Sequence, residues 1–348
     1  MNPDPAAWRS IATLYNALVT AFVVSLVVRR GPEVAREYVF RHFRRQHLDK
    51  FLPGLAKLGL TDEPHAVACA LYHYHSNALG GVKTEYFRES DLKAWVRYPP
   101  PRWMWRGTAI AAIPHEVSAA MLHGWHGHNG VSLGNPRLGF VCTGMTVDGM
   151  PGLEGYYLEH DRDLAPGERV RFSYGEWMPQ FDPAAAPKLE AATWPTDRLE
   201  RTRRRYAMDY VRTMLAVAED LLGPAEARVE VGRVARLVGL QFEEEATKEF
   251  TADRADSATA FAAWLAAMLS GQGEDVTSSR HGATHVVDLP RWVLVEGLEL
   301  EDPLRAFTAW NDLWIGAGAA HDRFLSVEST AVLGKAGLAA RWTIAPRA

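Results

Sequence analysis

Ala94-Trp95-Val96-Arg97-Tyr98-Pro99-Pro100-Pro101-Arg102-Trp103 decides the architecture, because the second half of the chain restates it as Ala283-Thr284-His285-Val286-Val287-Asp288-Leu289-Pro290-Arg291-Trp292. Each run alternates until proline stops it, which is the pattern of a strand with one face in a core. Further on, Asn135-Pro136-Arg137-Leu138 lines up with His321-Asp322-Arg323-Phe324, and Gly152-Leu153 with Gly337-Leu338. Helical periodicity over 63–78 precedes the first run, and over 231–240 and 257–270 the second. Strands are expected again near 103–110 and 292–296, then near 138–146 and 156–160 in one half and 323–330 and 338–344 in the other. The expectation is an α+β fold of two pseudo-repeated domains, each an antiparallel sheet covered by helices. Residues 179–197, rich in Pro and Ala, read as a linker between a first repeat, 1–178, and a second, 198–348.

Composition narrows the function classes. With 47% hydrophobic and 23% charged residues, the chain has the balance of a folded protein. A net charge of -4 offers no basic field to neutralise phosphates, so nucleic acid is not the expected partner. Two cysteines cannot make a disulfide framework, which fits a reducing, cytoplasmic setting. Ser10 to Val28 carries no charge and is close to the shortest membrane span. Thr13, Asn16, Thr20 and Ser25 interrupt it, so it is expected as a helix packed on the protein or across a homodimer interface, with a membrane anchor the less favoured alternative.

The side chains capable of chemistry crowd into the first half. His123, His126 and His128 lie in a stretch with Gly124, Gly127 and Gly130, and His73 and His75 in the preceding helix. Neutral imidazole serves as a general base near pH 7 or as a ligand to a divalent metal. The glycines are expected to let a loop fold so that the three histidines converge. Cys142 is the candidate nucleophile, with an inert core thiol in Phe140-Val141-Cys142 as the more common role of a buried cysteine. Glu154 could orient a histidine. Arg137, Trp125, Tyr156 and Asn129 are candidate substrate-binding residues, Arg137 because a guanidinium clamps a carboxylate. Solvated histidines and hairpin-end acids are the structural alternatives for the same residues.

Each half thus runs helices, a strand ending in Pro-Arg-Trp, a helix and a closing strand pair, with the turn Leu333-Gly334-Lys335-Ala336-Gly337 before Ala340-Arg341-Trp342. This resembles the L-2-amino-thiazoline-4-carboxylic acid hydrolase-like family. The resemblance implies a cytoplasmic enzyme that opens a cyclic C–N bond, and a fold related to small-molecule-binding 4-vinyl-reductase-type domains. It also implies a cysteine followed by an acid after the last helix, matched here by Cys142 and Asp148. Glu328 stands opposite Cys142 in the second half, which implies a degenerate copy.

Three functions remain open at this level. One is an enzyme hydrolysing a C–N bond of a small cyclic or amide-like substrate, with Cys142 or water as nucleophile and His123, His126 or His128 as base. Another is a metal-dependent enzyme using those histidines as ligands. The third is a non-catalytic protein that binds a small ligand or a partner.

Overall fold

The computed structural model describes residues 5–102, 104–190, 192–248 and 256–347. Two long helices come first, α1 (Pro5–Arg30) and α2 (Pro32–Leu58). They are separated at Gly31, whose φ of 90° suits glycine, with Pro32 at the first helical position, where its missing N–H costs nothing. Then follow α3 (His65–Leu79), β1 (Glu85–Arg88), β2 (Lys93–Tyr98), α4 (His115–Gly124), α5 (Asn129–Ser132), β3 (Leu138–Gly144), β4 (Leu153–Glu159) and β5 (Val170–Phe172). The second series is α6 (Thr196–Leu222), α7 (Pro224–Thr247), α8 (Ser257–Gln272), β6 (Thr277–His281), β7 (Thr284–Leu289), α9 (Pro303–His321), β8 (Leu325–Gly334) and β9 (Gly337–Pro346). Mixed helix and strand in two sheets make this an α+β fold.

The first sheet has the order β1-β2-β4-β3-β5, antiparallel except where β5 adds in parallel to β3. The second has the order β6-β7-β9-β8 and is antiparallel throughout. The edge strands β1 and β6 were not expected. In β6, Thr277–His281 is exposed at every position, so no alternation marks it. The strands expected near 103–110 and 292–296 are instead 3-10 turns over Gly107–Ala112 and Val293–Val295. Trp103 lies outside the described residues.

The chain divides into two compact units, residues 26–203 and residues 1–25 with 204–348. Residues 1–25 therefore leave the first half, where they were expected, and join the second. The reason is burial. Ile11, Leu14, Tyr15, Leu18 and Phe22 have no exposed surface, the Tyr15 hydroxyl donates to Gln272 Oε1, and Trp310 Nε1 donates to Tyr15 at 2.8 Å. Ala6–Arg30 is the one helix among the described residues long and apolar enough to cross a membrane, and half of its most apolar window is buried within the protein.

In unit 26–203, α3 lies on one face of the first sheet. Because side chains alternate, Phe140 and Cys142 on β3 share a face with Gly155 and Tyr157, their cross-strand partners on β4. Val141, Tyr156 and Trp95 form a separate cluster on the other face.

Candidate site on the helix-covered face of the first sheet

Two imidazoles stack at the centre of this unit. His73 comes from α3, and His126 from the 3-10 turn His126–His128 that follows α4. Their ring centroids are 4.2 Å apart and the planes differ by 8°. Tyr157 lies nearly parallel to both, 5.9 Å from each. Phe140 packs against His126 at 4.6 Å, and Trp125 against His73 at 5.9 Å. Asn129 is fully buried and its Nδ2 donates to the Tyr157 hydroxyl at 2.9 Å.

The polar accounting does not close. Both ring nitrogens of His126, Nε2 of His73 and Nε1 of Trp125 are buried without a hydrogen-bond partner in the protein. Each such atom costs roughly 1–3 kcal/mol relative to a satisfied one. Burial also holds the imidazoles neutral. It pushes His73 down to about 3, with His47 adding to the effect. Burial lowers His126 well below the ordinary histidine value, and His73, His47 and Arg102 act in the same direction. His47 is pushed down to about 3, first by burial and then by Arg44 and His128, against an opposing contribution from Asn129. The site offers neutral donors and acceptors shielded from solvent, with the Arg102 guanidinium near enough to act on both His126 and Cys142.

The structure treats the expected site residues unequally. His126 enters the stack with Asn129 and Trp125. His128 is half-buried, and its Nδ1 donates to the His123 carbonyl at 2.9 Å, which leaves Nε2 as the acceptor. His123 lies against Phe172. The three histidines thus do not converge. Gly124, Gly127 and Gly130 do not act as loop hinges either. A Cβ on Gly124 would lie 2.5 Å from the Phe40 carbonyl oxygen, and one on Gly130 would lie 2.7 Å from that of Leu138, so they allow close packing onto α2 and β3.

Cys142 is fully buried, and burial pushes its thiol up to about 12, so the thiolate needed for attack is disfavoured. Glu154 is on the other face, where it meets Arg97 at 3.2 Å and accepts from the Met178 amide at 2.7 Å. Tyr156 is on that face too, donating to Glu176 at 2.9 Å, with the Lys93 ammonium 4.2 Å from its ring centre. Arg137 is half-exposed and pairs with Glu159. His75 stands against Tyr74, outside the stack.

Among the described residues, no group of three or more His, Cys, Asp or Glu side chains could hold a metal ion. The stacked pair does not make a two-histidine ligand set. A metal lies in the plane of its imidazole about 2.1 Å from nitrogen, whereas parallel rings in contact are about 3.5 Å apart, so one ion cannot serve both. The sequence did not single out Tyr157 or His47 for the site. Tyr157 could have been found from strand alternation, which puts it on the face of Cys142. His47 gives no local signal.

No family model, curated protein or solved structure matches the chain.

Proposed function

We propose that the unit of residues 26–203 takes a small neutral polar molecule against His73, His126 and Asn129, and that it hydrolyses a C–N bond in that molecule. The observation supporting this is the set of buried, unmatched ring nitrogens, which a ligand carrying both donors and acceptors would complete. Water is the nucleophile in this reading, because the Cys142 thiol stays protonated. A neutral imidazole takes a proton from water as its oxygen bonds to the carbon of the amide or amidine. It then returns the proton to the departing nitrogen. The reaction class is the one implied by the resemblance to the L-2-amino-thiazoline-4-carboxylic acid hydrolase-like family, and the cytoplasm is the proposed setting.

The test is calorimetry and product analysis with a panel of lactams, primary amides and cyclic amidines, on wild type and His126→Phe. Wild type should bind a member of the panel and release product, and the variant should do neither. Equal binding by both proteins would sink the proposal. A second reading, a binding protein without turnover, draws on the low basicity of His73. It predicts binding with no product.

We also propose that the two series of elements are copies of one unit, the second structural. Supporting this, α1 and α2 break at Gly31-Pro32 with φ 90° and ψ 162°, and α6 and α7 at Gly223-Pro224 with φ 78° and ψ 155°. The orders β1-β2-β4-β3 and β6-β7-β9-β8 are the same, with α4 and α9 in matching places. Hairpin pairs correspond at one constant offset. Leu138↔Glu159 matches Leu325↔Pro346, Phe140↔Tyr157 matches Val327↔Ile344, and Cys142↔Gly155 matches Ser329↔Trp342. Ser329, not Glu328, then corresponds to Cys142. Where the first sheet has Gly155, the second has Trp342, which donates to Asn311 Oδ1 at 2.6 Å. Asn311 Nδ2 in turn donates to Ser329 at 2.8 Å, so the corresponding place is filled and satisfied.

A further inference from the structure

Unit 26–203 carries a second polar cluster, on its surface. β3 ends in a bulge between Cys142 and Gly144, and the chain turns through Thr146–Asp148. Bulges of this kind re-aim the residues that follow them. Asp148 Oδ2 accepts from the Tyr174 hydroxyl at 2.6 Å and is bonded to His115 Nδ1 at 2.9 Å. An ionised carboxylate only accepts, so Nδ1 carries the proton and Nε2 keeps the lone pair. The His115 side chain is 42% exposed, so this lone pair belongs to a ring that solvent reaches. The ring packs edge-on against Phe172 at 5.1 Å, and Phe172 is itself partly exposed, with His123 at 6.2 Å. A carboxylate that fixes the tautomer of an accessible imidazole is the arrangement from which general bases are built.

We propose that His115, oriented by Asp148, forms a second catalytic site that hydrolyses small aryl esters, with Phe172 offering a face to the aryl group. Tyr174 is a positioning residue, since its proton is committed to Asp148. The cluster then holds no acid besides the imidazolium that forms on His115. That favours an ester whose aryl oxide departs before it takes up a proton. His115 Nε2 takes a proton from water as the water oxygen bonds to the acyl carbon. The acyl carbon–oxygen bond breaks and the aryl oxide departs with the electron pair. The imidazolium gives its proton to the aryl oxide, so one ester and one water become one carboxylic acid and one phenol.

The experiment measures kcat/KM of the full chain on 4-nitrophenyl acetate. His115→Asn should lower it by about a hundredfold. Asp148→Asn should lower it too, by offering Nδ1 a partner that no longer fixes the tautomer. His115→Ala should be rescued by free imidazole in the buffer, which a structural role would not allow. His281→Asn, at an exposed histidine of the other unit, controls for unspecific imidazole catalysis and should match wild type. His115→Asn within about twofold of wild type, or absence of rescue in a folded His115→Ala, overturns the proposal.

Discussion

His126 occupies a position where an apolar ring would make the unbound protein more stable. Its two nitrogens are buried unmatched between His73, Phe140 and Tyr157. His126→Phe should therefore raise the stability of the free protein by about 1–3 kcal/mol, offset in part by the larger ring, while it abolishes ligand binding. Chemical denaturation of the two proteins checks the sign, and a less stable variant would show that the nitrogens are already satisfied. The neutral histidines also set a pH dependence. His42, His47 and His73 are each pushed from 6.5 down to about 3, burial being the first cause. A folded value below the unfolded one means that their neutral burial is free of penalty above about pH 6.5. Stability is then lost as pH falls from there toward 3, because only the unfolded chain takes up the protons. The loss is on the order of 2 kcal/mol per histidine between pH 7 and 5, against a typical domain stability of roughly 5–15 kcal/mol. Thermal melts from pH 7 to 4 should fall steeply, and His73→Phe should flatten the slope. A melting temperature unchanged between pH 7 and 5 would contradict the burial argument.

Among the elements, the crossing of α7 and α9 depends on small residues. A Cβ on Gly239 would lie 2.0 Å from the Leu313 carbonyl oxygen, and one on Gly316 would lie 2.1 Å from that of Arg236. Backbone cannot yield as a side-chain tip can, so Gly239→Ala must wedge the helices apart, at a cost of about 3 kcal/mol. Urea unfolding measures this, and a midpoint equal to wild type would mean that the helices are not so close. Element type was legible wherever periodicity was long. The helix expected over 63–78 and the strand over 92–98 both form, as α3 and β2. Glu85–Arg88 and Thr277–His281 carry no such signal, because the first is only four residues long with Tyr86 alone buried and the second is exposed throughout. The histidine stretch defeats a local reading for the opposite reason. Its glycines read as loop residues, but Gly124 and Gly130 lie where backbone from α2 and β3 comes close and Gly127 lies against the Val170 side chain, requirements that no local pattern records.

For the whole molecule, the unexpected feature is that residues 1–25 belong with residues 204–348. Tyr15 links them, through Gln272 on α8 and Trp310 on α9. Tyr15→Phe removes the hydroxyl and leaves the Trp310 N–H and the Gln272 carbonyl oxygen short of a partner. The expected cost is about 1–3 kcal/mol, read as a lower melting temperature. A melt identical to wild type would mean that this contact does not hold the N-terminal helix in place.

By itself, the sequence determined the α+β class, the linear order of helices and central strands, and the poverty of basic charge, because each is written in periodicity or composition along the chain. It also marked the first half as richer in histidine. Only the tertiary structure decided which histidines meet. His73 and His126 are brought together by packing α3 and the turn after α4 over the same sheet face. Strand alternation sends Glu154 and Tyr156 to the other face, away from Cys142 and Tyr157. Proximity across elements depends on how faces pack, and burial then fixes protonation; neither quantity is a property of any local stretch of residues.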